Sequence, residues 1–374
     1  MGSGELKRIL LFTEHFRASV GGAEKDAVDL AQALLGRGYE VHVVAESGDE
    51  DLGPTLHRGL ASGAETAARL APDLSLDWGF YHCADAHRAI GGLHEAFLRY
   101  KLRGLSGLGA RTRDWLARRG KHAAIVRRQR AIVEADVGSC FLPLSRFVAG
   151  QLVAAGIPES SIRVLYNAVD TRRFDPARIA GLRQSARREW GLAEDDVVFL
   201  FVAHNLQLKN LRLLRAVFAS FEHSPSNLRL LVVGKRRPEW RAPWLVYAGE
   251  QAQIERCYAA ADALLHPSWY DSFGNVIVEA MSCGLAVAVS DCCGAAELIA
   301  DGRDGRVLPV DGPPEQVFAD WRQTVGRLAR DVEFRQACGF NARATALRHD
   351  VRDYCRQFEE SLQACYRNKR RSLA

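Results

Sequence analysis

Long apolar runs are missing from this chain: its 374 residues hold no stretch of 18 or more uncharged apolar residues, so no ordinary membrane-spanning helix is expected. The first residues run straight into a strand-like Ile9-Leu10-Leu11-Phe12, too short for the apolar core of a secretory leader, and no leader is expected either. Cysteine is present without a pattern. Nine cysteines, at 83, 140, 257, 283, 292, 293, 338, 355 and 365, form no Cys-x-x-Cys pair and no Cys/His spacing suited to a metal; buried, reduced thiols in a cytoplasmic protein are the expectation, with no metal site. An excess of one charge is also lacking, with Lys+Arg 50 against Asp+Glu 45 and a net charge of +5. Together with 48% apolar residues this excludes wholesale disorder or a collagen-like chain. The small positive bias suits substrate phosphates, nucleic acid or a membrane surface equally.

What is present is repeated α/β grammar, and the length suits two domains. An apolar run Ile9 to Thr13, a turn with Gly21-Gly22, a helix and a second apolar run Glu40 to Ala45 read as a βαβ unit. In that helix Ala27, Leu30, Ala31, Leu34 and Leu35 recur at the spacing of one buried face, and Gly36-Arg37-Gly38 ends it. The grammar restarts at Val197 to Ala203, followed by a loop, a helix from Asn210 to Glu222, and strands at 228–233, 245–248, 263–266 and 285–290. Strands separated by helices require parallel sheets. The reading is a first domain over 1–176, a second over 177–350 with the break near Asp175-Pro176, and a final helix over 351–374 packing back on the first domain.

One segment departs from the pattern. Residues 97–130 hold eleven Lys/Arg against the single acid Asp114, interleaved with aromatic and aliphatic side chains. The mixture suits a basic amphipathic surface on anionic lipid; a helix pair with a solvated basic face, an anionic-substrate groove and nucleic acid remain open.

In open α/β sheets, ligands sit beyond the carboxyl ends of strands, where helix N-termini offer free amides. Three loops meet this description. Gly21-Gly22 lets a ligand approach the backbone, although a tight turn explains it as well. His204-Asn205-Leu206-Gln207-Leu208-Lys209-Asn210 brings a lysine to a helix start, as a phosphate site requires, or simply exposes a lysine. The third, Pro267 to Ala280, ends a strand, turns at Phe273-Gly274-Asn275 and carries Asp271 and Glu279 eight residues apart. Two carboxylates on one face grip the paired hydroxyls of a sugar or ribose, or stabilise a helix start through its dipole.

Three sets of residues carry a family likeness. Asp271-x-Phe273-Gly274-x4-Glu279-Ala280-x3-Gly284 with Ser290 and Gly294-x2-Glu297, then Tyr166-Asn167-Ala168-Val169-Asp170-x3-Phe174-x-Pro176, and Gly21-Gly22-Ala23-Glu24 together resemble the retaining glycosyltransferases of family four. The likeness runs over residues 7 to 310. It implies a GT-B fold, two Rossmann-like doubly wound domains facing across a cleft, and transfer of a hexose from a nucleotide-sugar, UDP-glucose above others, without cofactor or metal.

By the same resemblance the donor would meet Gly21, Gly22, His204, Asn205, Lys209, Asp271, Phe273, Gly274, Asn275, Val276 and Glu279. Glu279 would hold the ribose, Asp271 the sugar hydroxyls and Lys209 the leaving diphosphate. Two positions depart from the family: Asp271 stands where a glutamate is usual, and Ala203-His204 where Gly-Arg is usual. The stretch Trp78 to His87 is expected to face the acceptor, with Asp85 as a catalytic residue and His82 or His87 behind it. With the basic segment, this resembles the lipopolysaccharide-core glucosyltransferase branch. A saccharide or glycolipid acceptor, an anionic membrane surface reached through 97–130 at the inner face of the cell membrane, and no nucleic acid partner follow as expectations. A soluble acceptor, or a catalytically weak binding module on the same fold, are the alternatives.

Overall fold

The computed structural model describes residues 5–18, 22–103, 111, 115, 119–135, 138–222 and 227–372. They fall into two compact units: residues 1–99, 107–166 and 352–374 form the first, and residues 100–106 with 167–351 the second. The chain passes into the second unit ten residues before the break read at Asp175-Pro176. That dipeptide instead opens a short helix, Pro176–Ala180, whose amides Ala177 and Arg178 donate to the Asp175 carboxylate.

Each unit is built on a six-stranded parallel sheet. In the first the strands are β1 Arg8–Phe16, β2 Glu40–Gly48, β3 Thr55–Arg58, β4 Leu74–Trp78, β5 Ala86–Ala89 and β6 Cys140–Pro143, in spatial order 3-2-1-4-5-6. In the second they are β7 Val197–Val202, β8 Leu228–Val233, β9 Leu245–Gly249, β10 Ala263–His266, β11 Ala286–Ser290 and β12 Gly305–Leu308, in order 12-11-10-7-8-9. In both sheets the order reverses beside the first strand, and the switch point of a doubly wound sheet is where ligands gather.

The apolar spacing predicted for the first helix places it correctly. Ala27, Leu30, Ala31 and Leu34 of helix Gly22–Gly36 are buried against Ile9, Leu11 and Val43. Helix Leu211–Ala219 likewise buries Leu211, Leu214, Val217 and Phe218 on Phe199, Phe201 and Leu230. Helix Val351–Ser372 completes the first unit, setting Phe358, Leu362 and Tyr366 into the core under β1 and β4.

One prediction for this unit is corrected. Cys140 of β6 and Cys365 of the last helix are joined in a disulfide, with Cα atoms 5.7 Å apart, so the nine cysteines are not all free thiols. The stretch Trp78 to His87 comprises the end of β4, the connection 79–85 and the start of β5. The second unit is stitched where the chain enters and leaves it: Val169 pairs with Asp350, and Thr171 donates its hydroxyl proton to the Asp350 carboxylate. Among the described residues no helix is long and apolar enough to cross a membrane.

Candidate active site

In the second unit the carboxyl ends of β7 and β10 bring two loops together. The loop after β7 runs 203–210 and ends at Asn210, which adopts the left-handed conformation (φ 59°) at the cap of helix Leu211–Ala219. This conformation turns the chain sharply enough to set Lys209 at the helix start. The loop after β10 is held by main-chain bonds: Asp271 N donates to Cys292 O at 3.0 Å and Gly294 N donates to Asp271 O at 3.0 Å. Its Gly274 has φ 95°, and a Cβ there would lie 2.8 Å from Ile277 Cδ1 and 3.3 Å from Asp271 Oδ2. Only glycine lets helix Asn275–Ser282 begin this close to the carboxylate.

The Lys209 ammonium donates to Asp271 Oδ2. His266, the last residue of β10, places Nε2 3.0 Å from the same oxygen. Among the described residues the other oxygen, Oδ1, has only a long 3.4 Å contact from the Phe273 amide. Both members of the ion pair are largely shielded, with side chains 18% and 17% exposed. Burial alone would raise the Asp271 pKa, but the Lys209 charge and the His266 hydrogen bond hold the carboxyl well below its usual range.

One turn further along, Glu279 accepts a 2.5 Å hydrogen bond from Tyr258 Oη. Burial raises the Glu279 pKa, against the opposing pull of Tyr258 and the Arg173 charge. Tyr258 is itself fully buried and edge-on to Phe174, with ring centres 5.6 Å apart. Asn275 Oδ1 accepts from Asn167 Nδ2 at 3.0 Å, so the Asn167 motif and the Phe-Gly-Asn turn meet directly. His204 and Asn205 are exposed, and Asn205 Oδ1 caps its own loop by accepting from Leu208 N at 3.1 Å. Val276 is half-buried, with its carbonyl 3.4 Å from Tyr258 Oη. Lys209, Asp271, Phe273, Gly274, Asn275, Val276 and Glu279 thus form one continuous patch, to which sequence reasoning had not assigned His266, Tyr258 or Arg173. Gly21 lies outside the described residues, and Gly22 opens the first helix.

The acceptor assignments in the first unit change. Asp85 does not lie at the carboxyl ends of the strands: it precedes β5, accepts from Ser75 N and Oγ at 2.7 Å each, and pairs with Lys369 Nζ at 3.0 Å. Its work is to tie the amino ends of β4 and β5 to the last helix. His87 is a core residue, 2% exposed, with Nδ1 3.2 Å from Asp77 Oδ2 and its ring stacked on Phe80 and Phe141. His82 alone of the three is at the right end of the sheet, half-buried and stacked on Phe12 at 4.4 Å.

Sequence reasoning also missed Asp77, fully buried at the end of β4. Its carboxylate accepts from the amides of Phe80 at 2.6 Å, Tyr81 at 2.8 Å and His82 at 2.9 Å, which shapes the turn presenting Tyr81 and His82. Tyr81 Oη donates to Glu14 at 3.0 Å, and Arg128 of the basic segment covers the Tyr81 ring at 4.8 Å. Part of that segment is consumed by internal pairing, Arg103 with Asp311 at 2.9 Å and Arg130 with Glu95 at 2.7 Å. Trp115 is 52% exposed with Arg119 over its ring, and residues 104–110, 112–114 and 116–118 lie outside the described residues. Among the described residues no cluster of three or more His, Cys, Asp or Glu is arranged to hold a metal ion.

Residues 196–328 match the family model described as glycosyl transferases group 1. A D-inositol 3-phosphate glycosyltransferase from Actinosynnema mirum is 32% identical over 204 residues, 49% of this chain and 47% of that protein. One from Thermobifida fusca is 28% identical over 205 residues, 49% and 45% of the two chains. The chain therefore spans about half the length of the curated relatives it matches.

Among solved structures, WaaG, a glycosyltransferase involved in lipopolysaccharide biosynthesis, superposes with a TM-score of 0.73 at 19% identity, covering 93% of this chain and 98% of its own. Anabaena HepE in complex with UDP-glucose gives 0.71 at 19% identity, covering 96% and 99%. The fold is that of the GT-B glycosyltransferases, and the segment 196–328, which matches the glycosyl transferases group 1 model, holds Lys209, Asp271 and Glu279.

Proposed function

We propose that this protein is a retaining hexosyltransferase that moves a glucose-like sugar from a UDP-sugar to a lipid-linked or lipopolysaccharide-core saccharide. In the reaction the bond from sugar C1 to the diphosphate oxygen breaks while an acceptor oxygen bonds C1 on the same face. The acceptor proton leaves to the departing phosphate oxygen, so no protein nucleophile is needed. The physical demand is to stabilise the diphosphate as it gathers charge. Lys209 precedes one helix start, and it and the first amides of helices Leu211–Ala219 and Asn275–Ser282 suit that charge. Asp271 Oδ1 is available to a sugar hydroxyl, and Glu279 suits a ribose diol. HepE was solved with UDP-glucose, which favours that donor here as well.

The observation that carries the reading is the shielded Lys209–Asp271 pair at the switch point of the second sheet. Calorimetric titration with UDP, then a screen of UDP-sugars for hydrolysis and an anomeric assignment of the product by NMR, tests it. Binding of UDP and release of an α-configured sugar product from an α-linked donor are expected; absence of UDP binding overturns the reading. Removing one such charge-stabilising donor typically costs about 10²–10³ in kcat, so Lys209→Ala is expected to fall in that range. Asp271→Asn is expected to lose turnover while keeping UDP binding.

On the acceptor side we assign His82, presented with Tyr81 on the Asp77-held turn, in place of Asp85. Its replacement by alanine is expected to raise the acceptor KM with little effect on donor hydrolysis. The exposed Trp115 and the basic residues around it suit a phospholipid surface at the cytoplasmic face of a membrane. Salt-sensitive flotation with anionic vesicles, absent with neutral ones, is the expected result.

A further inference from the structure

Two groups converge on one carboxylate oxygen in the site described above, and one of them has no role in the proposed reaction. His266 is 1% exposed, its Nε2 lies 3.0 Å from Asp271 Oδ2, and its Nδ1 is buried with no hydrogen-bond partner among the described residues. Lys209 donates to the same Oδ2. An ionised carboxylate only accepts, so the ring carries its proton on Nε2 and a bare lone pair on Nδ1. A second proton on Nδ1 would be a buried N–H without an acceptor beside a lysine charge, an arrangement that burial and Coulomb repulsion both oppose. The ring is therefore a neutral donor of fixed tautomer, and burial and the Lys209 charge displace its pKa downward accordingly.

This asymmetry separates the tasks of the two donors to Oδ2. Lys209 is a charged, flexible side chain at a helix start, where an incoming diphosphate competes for it. When it swings to phosphate, Asp271 loses its ion-pair partner, and a short carboxylate with only a 3.4 Å amide contact on Oδ1 has little else to hold it. His266 cannot leave: its ring is packed at the end of β10 and has no other group to bond among the described residues. We propose that His266 is a positioning residue which, through its Nε2–H, keeps the Asp271 carboxylate aimed at the donor sugar while Lys209 moves from Asp271 to the diphosphate. The inference rests on the nucleotide-sugar reading for the ligand, but the state of the ring stands on the geometry alone.

The test uses the full chain with His266→Leu and His266→Gln, UDP as the binding probe and UDP-glucose hydrolysis as the reaction. His266→Leu is expected to bind UDP within about threefold of the unsubstituted protein, since Lys209 and Glu279 remain. Its kcat is expected to fall on the order of tenfold, the effect of about 1.4 kcal/mol. The acid limb of its kcat/KM profile is expected to move to higher pH, because Asp271 has lost one of the two groups that keep it ionised. His266→Gln, whose amide nitrogen reaches the place of Nε2, is expected to recover most of the rate. A leucine variant with unchanged kcat and acid limb overturns the proposal. So does a glutamine variant that fails as badly as leucine with UDP binding and thermal stability both lost, since that marks a merely structural role.

Independently of turnover, ring nitrogen NMR is expected to show His266 protonated on Nε2 and bare on Nδ1 from pH 5 to 8; a doubly protonated ring in that window overturns the proposal. If the unsubstituted protein neither binds UDP nor hydrolyses UDP-glucose, the proposed function fails, and the ring signals still decide the state of His266.

Discussion

At the scale of single residues, the site depends on conformations and charge states that ordinary side chains resist. Asn210 sits at φ 59° with ψ 42°, where a branched side chain clashes with its own backbone and where asparagine is tolerated. Asn210→Gly is expected to leave stability within about 1 kcal/mol, while Asn210→Val is expected to cost about 2 kcal/mol. Thermal unfolding distinguishes them, and equal losses would remove the argument for a left-handed turn. Asp271 titrates below the usual carboxylate range in the folded protein, so its pairing stabilises the fold above that range and is lost only as pH falls through the lowered value.

Glu279 has the opposite sign: its pKa is raised, so the fold resists its ionisation, and this unfavourable contribution grows as pH rises past the ordinary glutamate value. Single residues are also where sequence reasoning misread most. Asp85 was assigned through the family likeness, and its partner Lys369, which ties it to the last helix, stands 284 positions away. His87 was expected on the acceptor side behind Asp85, yet it is a core residue, and its neighbour Arg88 is fully buried, donating to Leu142 O at 3.0 Å, Leu165 O at 2.7 Å and Tyr354 Oη at 3.2 Å. Nothing in a linear pattern announces such partners.

At the scale of elements, period and punctuation were legible wherever strands and helices were long enough to repeat. The helix over Gly22–Gly36, the strand Leu228–Val233 and the helix beginning at Val351 lie where the apolar spacing puts them. The short strands β3 to β6 of the first unit, four or five residues each, carry too few apolar positions for a period to show. The Asp271 to Glu279 element was legible for another reason: glycine and acid at fixed offsets from a helix start are a local device, complete within fourteen residues.

That device is brittle. Gly274→Ala is expected to destabilise the protein by about 1–3 kcal/mol through the strained φ alone. It is also expected to displace Asp271, lowering donor hydrolysis more than UDP binding, because the new methyl would meet Ile277 and the carboxylate. The last helix is fastened by the Cys140–Cys365 bond and by Arg37, which reaches Glu359 at 2.8 Å. Cys365→Ser is expected to cost about 2–4 kcal/mol, measured as a lower melting temperature that a reducing agent reproduces in the unsubstituted protein and leaves unchanged in the variant.

At the scale of the molecule, the modest net charge of +5 resolves into a +10 segment at 97–130 and a remainder of −5. Two pairs anchor part of that segment, and the rest of its excess is what a salt-sensitive lipid contact would draw on. The two units differ in how they are threaded. The second is nearly continuous from 167 to 351, and its two ends are stitched by Val169, Thr171 and Asp350. A fragment of 167–351 is therefore expected to fold and, at UDP concentrations near a hundredfold its Kd, to gain about 2.7 kcal/mol in stability, read as a rise in melting temperature. A fragment ending at residue 166 is expected to stay unfolded, since the core around Ile9, Leu11 and Leu76 lacks Phe358, Leu362 and Tyr366.

The return of the last helix has a consequence in time. On a ribosome adding roughly 5–20 residues per second, the first sheet emerges early but must wait on the order of 10–40 s for the helix that seals it, while the second unit closes as soon as Asp350 appears. The half of the molecule made first is thus the half that folds last, and its open core is the surface on which a chaperone would act.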